Sequence, residues 1–241
     1  MTTISELQNI ILVFQLLTVY LAIFIEKLIK NEFMLEKIDF TYEFSNFGPG
    51  FRNRLGVAVL PTAPKGVQTI LGVHTLITTD ALKLTTLYYR EMLGRASPEE
   101  ISETKKLSFP IVCFRGLFSK RRNNGLIKFS PFVPIDVDDH LSQEESRNIQ
   151  RTLIEDPMLN VALSFTSPSY GAKVIVEVPN WAAELDPRQW YDIIADHIGM
   201  AHGIICDRSG KDLARATMLC WDPQAYISPK FINNTTIIKA L

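Results

Sequence analysis

The most restrictive feature of the sequence is the run Phe132-Val133-Pro134-Ile135-Asp136-Val137-Asp138-Asp139-His140, a short apolar strand that ends in carboxylates. Side chains of a strand alternate between its faces. Asp136 and Asp138 therefore point the same way, about 6.6 Å apart, and Ile135 and Val137 take the opposite, buriable face. Two carboxylates projecting together repel and lose solvation on folding. A divalent cation relieves both costs, because Mg²⁺ accepts one or two carboxylates together with phosphate oxygens. A strand running out into an acidic turn, with Asp139 opening the loop, accounts for the same letters without a ligand. The pattern alone leaves both open.

The neighbours of this strand set the fold class. Ser142 and Glu145 form a capping box for a helix running to about Glu155, stopped by Asp156-Pro157. That helix should bury Ile149, Leu153 and Ile154. Val161–Thr166 and Ala172–Val178 read as a hairpin around the turn Ser167-Pro168-Ser169-Tyr170-Gly171. Asp186-Pro187 opens a second helix whose apolar spacing includes Trp190, Ile193, Ile194 and Ile198, with His197 as a core-edge histidine. Ile204–Asp207 repeats the opening design in miniature, an apolar run ending in an acid, and Ala216–Trp221 returns as a strand. The order strand, helix, hairpin, helix, strand predicts an α+β fold, a mainly antiparallel sheet with helices packed on it.

Upstream, Lys37–Phe44 alternates as a strand, Asn46–Gly50 reads as a loop, and Leu55–Leu60 as a second strand. Thr79-Asp80 caps a helix that ends near Gly94, and Ser97-Pro98-Glu99-Glu100 starts another. Between Arg115 and Lys128 the chain has basic residues and no acid: Arg115, Lys120, Arg121, Arg122 and Lys128, around a hairpin-type turn at Asn124-Gly125. Such a run is a solvated loop by default. Its place directly before the acidic strand makes it also a candidate hold on a phosphate backbone.

Composition limits the function classes. With 241 residues and a formal net charge of −1, any nucleic-acid binding must rest on a local patch. Cys113, Cys206 and Cys220 are widely spaced, which argues against a disulfide framework or a cysteine zinc site and fits a reducing compartment. Residues 1–33 form a hydrophobic N-terminal helix or extension, uncharged from Leu7 to Ile25. Three readings stand for it: a membrane anchor through residues 7–29, a helix packed on the domain or a partner, or an extension ahead of a domain that begins near Met34. No basic leader or small-residue cleavage site marks a signal peptide. If the segment spans, Lys27 and Lys30 keep the following domain cytoplasmic. All three readings leave residues 34–241 in the cytoplasm.

The I-D-V-D strand, the S-P-S-Y-G-A-K hairpin and the segment D-R-S-G-K-D-L-A-R followed by W-D-P, in this order, resemble the archaeo-eukaryotic primase (PrimPol-like) superfamily. The likeness is nearest to its VirE N-terminal-like branch of mobile-element and phage replication proteins. The preceding F-R-G-L-F-S-K-R-R-N-N-G-L-I-K-F-S-P is similar to that branch's run-in. The resemblance covers a core of about residues 109–229. It implies a primase-polymerase catalytic core with RRM-like topology, in which Asp136 and Asp138 bind metal and Asp207, with Asp212 as a rival, supplies the third catalytic carboxylate. Where the superfamily has a phosphate-binding histidine in its second motif, this chain has Ser167, Ser169, Gly171 and Lys173. Ser167, Ser169, Lys173, Lys211 and Arg215 would then contact nucleotide phosphate, and Arg115, Lys120, Arg121, Arg122 and Lys128 nucleic acid.

The implied activity is metal-dependent nucleotidyl transfer by a DNA primase/polymerase, using two Mg²⁺ or Mn²⁺ ions, a single-stranded DNA template and nucleotide triphosphates. Two alternatives compete: a metal-dependent nuclease, and a catalytically inactive single-stranded nucleic-acid-binding module, which the missing histidine favours. No P-loop pattern occurs, so helicase action would belong to a separate ATPase partner.

Overall fold

The computed structural model describes residues 41–138, 142–179 and 185–233. The chain divides into two compact units, Met1–Ile38 and Asp39–Leu241, and every described residue lies in the second. The hydrophobic segment of residues 1–33, the first half of the strand expected at Lys37–Phe44, and Asp139 and His140 lie outside the described residues. Among the described residues no helix is long and apolar enough to cross a membrane.

The fold is α+β and its sheets are antiparallel. One four-stranded sheet contains β1 (Phe44–Phe47), β4 (Gly66–Gln68), β5 (Ile111–Cys113) and β11 (Thr217–Met218), in the order β11-β5-β1-β4. The other contains β8 (Phe132–Val137), β9 (Val161–Thr166), β10 (Ala172–Glu177) and β12 (Tyr226–Ile227), in the order β12-β9-β10-β8. Two short hairpins accompany them: β2 (Phe51–Arg52) with β3 (Ala58–Val59), and β6 (Gly116–Phe118) with β7 (Leu126–Phe129). A single buried cluster joins the two large sheets, with Phe44, Val112 and Phe114 from the side of the first and Phe132, Leu163, Phe165 and Ile175 from the second. Pro134 sits within β8, which lies at the edge of its sheet, where a missing N–H costs least.

The helices are α1 (Ile70–Thr78), α2 (Lys83–Met92), α3 (Pro98–Ser108), α4 (Gln143–Glu155), α5 (Pro187–His202) and a short α6 (Pro229–Asn233). The starts of α3, α4 and α5 follow the sequence signals, whereas α2 begins at Lys83, after a 3₁₀ turn at Asp80–Leu82, without the side-chain cap expected at Thr79-Asp80. Both capping boxes form, Ser97 with Glu100 and Ser142 with Glu145. Asp186 accepts the N–H of Arg188 at 2.9 Å and Pro187 fills the first position of α5, which Gly203 ends with φ 67°.

Several expectations need correction. The first strand lies at Phe44–Phe47, so Asn46 and Phe47 belong to a ladder and not to a loop. Helix α1 was not foreseen: Thr69 caps it, and its β-branched residues are weak helix formers stabilised by burying Ile70, Val73 and Ile77. Helix α4 buries Ser146, Gln150 and Leu153, while Ile149 and Ile154 are only half-buried. The polar pair is matched to the sheet, since Gln150 donates to Thr166 Oγ1 at 2.9 Å and to Ser146 Oγ at 3.1 Å. Finally, Ile204–Asp207 forms no ladder strand, and the Ala216–Trp221 strand is reduced to β11, which joins the first sheet.

Candidate metal centre

The end of β8 and the start of β10 lie side by side, with Asp136 paired to Lys173 and Val137 to Ala172 in the ladder. Cross-strand partners hold their Cβ atoms about 5 Å apart, which brings the Lys173 ammonium to the acids. Lys173 Nζ contacts Asp136 Oδ1 and lies 3.1 Å from Asp138 Oδ1. Asp136 and Lys173 are buried, whereas the Asp138 side chain is 45% exposed, so the site opens on the Asp138 side.

Asp207 arrives from the chain after α5. Its N–H donates to the Asp136 carbonyl at 2.8 Å, and the Tyr191 hydroxyl of α5 donates to the Asp207 carbonyl. Gly210 packs against the Tyr191 ring, where a Cβ would stand 2.6 Å from a ring carbon. Carboxylate oxygens of Asp136, Asp138 and Asp207 come within 4.8 Å of one another. The acid that joins the pair is Asp207 and not Asp212, whose carboxylate accepts the Ala214 N–H at 3.3 Å. Asp207 is also a turn residue: it accepts the Ser209 N–H at 2.9 Å and hydroxyl at 2.6 Å, and Arg215 NH2 at 3.2 Å.

Electrostatics follow from burial. Desolvation pushes the Asp136 carboxyl up, against the pull of Lys173, and Asp138 adds to the rise. For Lys173 burial alone would lower the ammonium, but Asp136 and Asp138 outweigh it and the group is held raised. Burial likewise opposes ionisation of Asp207, yet the Ser209 hydroxyl and N–H, Arg215 and Lys173 together keep its carboxyl low. The donor set is all carboxylate oxygen, the choice of a hard cation such as Mg²⁺ or Mn²⁺, and the residues present fit such an ion.

Residues that sequence reasoning missed complete the surroundings. Lys105, on the last turn of α3, donates to Ser169 Oγ at 2.8 Å. Burial and then Lys173 lower its ammonium, while Asp138 and Asp136 oppose that. Arg90 of α2 donates to the carbonyls of Ser167 (3.3 Å) and Pro168 (3.4 Å) and covers the Tyr170 ring. The Lys105-Lys106 pair reads in the sequence as helix-end charge, and only tertiary packing turns Lys105 toward the acids. Gly171 leaves no room at the centre: a Cβ there would stand 2.3 Å from Asp138 Oδ1 and 3.0 Å from the Val137 carbonyl.

The expected phosphate and nucleic-acid contacts divide. Ser167 is buried and accepts the Gly171 N–H at 2.9 Å within the hairpin turn, and Ser169 accepts from Lys105 of α3, so both hydroxyls have partners in the protein. Lys173 is engaged by the carboxylates. Lys211 is exposed on the turn Arg208–Lys211. Arg115 is not a surface contact at all: it is 1% exposed, donates to the Pro187 carbonyl and lies over the Trp190 ring. Burial pushes its guanidinium down to about 9. Lys120 and Arg122 are exposed, Lys128 is half-buried, and Arg121 is held by the Pro61 carbonyl at 3.0 Å. The turn between β6 and β7 reaches the second acidic segment through Asn123 Oδ1, which accepts the Ala214 N–H at 3.2 Å.

Residues 103–227 match a family model described as BT4734-like, N-terminal domain. The matched span runs from within α3 to the end of β12 and contains all three acids of the centre. No curated protein and no solved structure matches the chain.

Proposed function

The chain belongs to the BT4734-like N-terminal domain family, and we propose that its acidic centre serves metal-dependent nucleotidyl transfer of primase-polymerase type. In this reading the domain makes or extends primers on single-stranded DNA in the cytoplasm during replication of a mobile element or phage. The observation that carries it is the convergence of Asp136, Asp138 and Asp207 from two separate stretches of chain. Asp136, Asp138 and Asp207 would hold Mg²⁺ or Mn²⁺, which supplies Lewis-acid stabilisation of the attacking and leaving oxygens.

The remaining work falls to side chains of the protein. Lys173, Lys105 and Arg215 stand around the acids and offset the negative charge of a triphosphate. The open Asp138 side gives the nucleotide its entrance. Lys120 and Arg122, exposed beside the turn tied to Ala214, offer a sequence-independent grip on the template backbone. A separate helicase or ATPase partner goes with this reading.

The test is template-directed extension with labelled deoxynucleotides and Mn²⁺, run beside a cleavage assay on the same DNA. Extension that disappears in Asp136→Asn and Asp138→Asn, with circular dichroism unchanged, is the expected result. Extension that survives both substitutions rejects the assignment, and cleavage in its place makes the domain a nuclease.

One observation favours a second reading, a single-strand-binding module without catalysis. The Lys173 ammonium already bridges the two strand carboxylates and supplies the positive charge that an ion would bring. Calorimetry with Mn²⁺ separates the readings, because the binding module shows no heat at millimolar metal.

A further inference from the structure

A second group of metal-ligating side chains lies outside the acidic centre, between the end of α4 and the end of α5. Asp156 follows the last residue of α4 and is 7% exposed. Its Oδ1 accepts the Met158 N–H at 2.8 Å, which fixes the carboxylate plane. Its Oδ2 meets two imidazoles from the last turns of α5, His197 Nε2 at 2.8 Å and His202 Nε2 at 2.6 Å. The two rings stand nearly perpendicular with centroids 6.3 Å apart. Among the described residues no lysine or arginine pairs with Asp156. This differs from the acidic centre, where Lys173 and Arg215 balance the carboxylates.

We infer that Asp156, His197 and His202 form a second metal site, a His₂-carboxylate site for a divalent transition ion of which Zn²⁺ is the natural occupant. The donor chemistry points there. Two imidazole nitrogens and one carboxylate oxygen suit borderline zinc, whereas the oxygen-only centre at Asp136 suits magnesium or manganese. Ligand atoms around tetrahedral zinc stand about 3.3 Å apart, given metal–ligand distances near 2 Å. Asp156 Oδ2 therefore needs only a small shift away from each Nε2 to make room for an ion, and all three atoms already lie within 4.8 Å of one another. Met158 orients the carboxylate from behind, in the way that outer hydrogen bonds hold ligands in metal sites. His197 and His202, with side chains 31% and 22% exposed, would leave a fourth position for water, and the ion would join the end of α4 to the end of α5.

His197 is half-buried at the edge of the core, as its helical spacing predicts, and the second metal site adds a ligand role to that place. The site also stands independently of any activity at the acidic centre.

The test is calorimetric titration of chelator-stripped full-length protein with Zn²⁺, with ¹⁵N NMR of the histidine ring nitrogens. One equivalent should bind at micromolar concentration and shift Nε2 of both His197 and His202. His197→Gln and His202→Gln should each weaken that event by about tenfold or more, while Asp138→Asn leaves it in place. Absence of zinc binding at micromolar concentration overturns the inference, and so does binding that leaves both Nε2 resonances unmoved. The NMR readout on the unsubstituted protein decides the question even if a histidine variant fails to fold.

Discussion

Lys173 on β10 is the cross-strand partner of Asp136 on β8, and its ammonium joins that buried carboxylate to Asp138, 3.1 Å away. One lysine thus serves two acids, one nearly dry and one open to water. The arrangement lets the acidic centre fold without an ion and gives an incoming ion a competitor.

Removing that lysine should expose both roles. Lys173→Met leaves Asp136 buried without its counter-charge, and unpaired buried charges of this kind cost about 3 kcal/mol. Urea denaturation should show that loss, and millimolar Mn²⁺ should restore a good part of it. A variant whose stability is the same with and without Mn²⁺ would mean that the carboxylates do not take the ion.

Gly171→Ala tests the spacing of the centre. The added methyl would overlap Asp138 Oδ1 and press on the Val137 carbonyl and Ser167 Oγ. Asp138 should swing outward, weakening Mn²⁺ binding about tenfold with the hairpin still folded. Unchanged Mn²⁺ affinity would show that Asp138 is not a ligand.

Asp222 appears in the sequence as part of a W-D-P motif, and in the structure it is a staple. It is 2% exposed, contacts Arg147 of α4, accepts the Thr166 N–H at 2.7 Å and accepts the Gln224 N–H at 3.1 Å. Asp222→Ala should cost about 3–5 kcal/mol, the usual loss on breaking a buried pair. Asp222→Asn, which keeps the shape and some acceptors, should lose less. Equal losses for the two would argue that packing rather than hydrogen bonding is at stake.

The capping box of α4 predicts a pH effect of known sign. The Ser142 N–H bonds to Glu145 Oε2 at 2.7 Å, and with the Ser142 hydroxyl it holds the Glu145 carboxyl below the ordinary glutamate value. A folded value below the unfolded one contributes stability above the unfolded value, and that stability disappears as pH falls through the folded one. Carboxyl ¹³C titration should show a depressed Glu145 midpoint that rises only part of the way toward the ordinary value in Ser142→Gly, which removes the hydroxyl and keeps the backbone N–H. A normal midpoint in the unsubstituted protein would contradict the box.

What could be read from the sequence was what neighbouring residues decide. The caps at Ser97, Ser142 and Asp186 act over three or four residues, and the alternation around Ile135 and Val137 is visible in the letters. Helix α1 was hidden because its stability comes from Ile70, Val73 and Ile77 in a distant core and not from propensity. Asp136, Asp138 and Asp207 could be proposed in advance, yet Lys105, Arg90 and Tyr191 could not, since nothing local separates them from ordinary helix-surface residues. Arg115 failed in the opposite direction. Its charge suggested a surface, and only the Trp190 ring and Pro187 carbonyl reveal an interior arginine.

The bond from the Asp207 N–H to the Asp136 carbonyl has a further effect on the sheet's border. Strand β8 ends its sheet, and an open border is a template on which another chain can add a strand. Pro134 removes one donor from that border, and the chain at Asp207 occupies an acceptor beside it. A foreign strand could extend the sheet along β8 only by dislodging the third acid, so the contact that assembles the centre also guards the protein against edge-to-edge association.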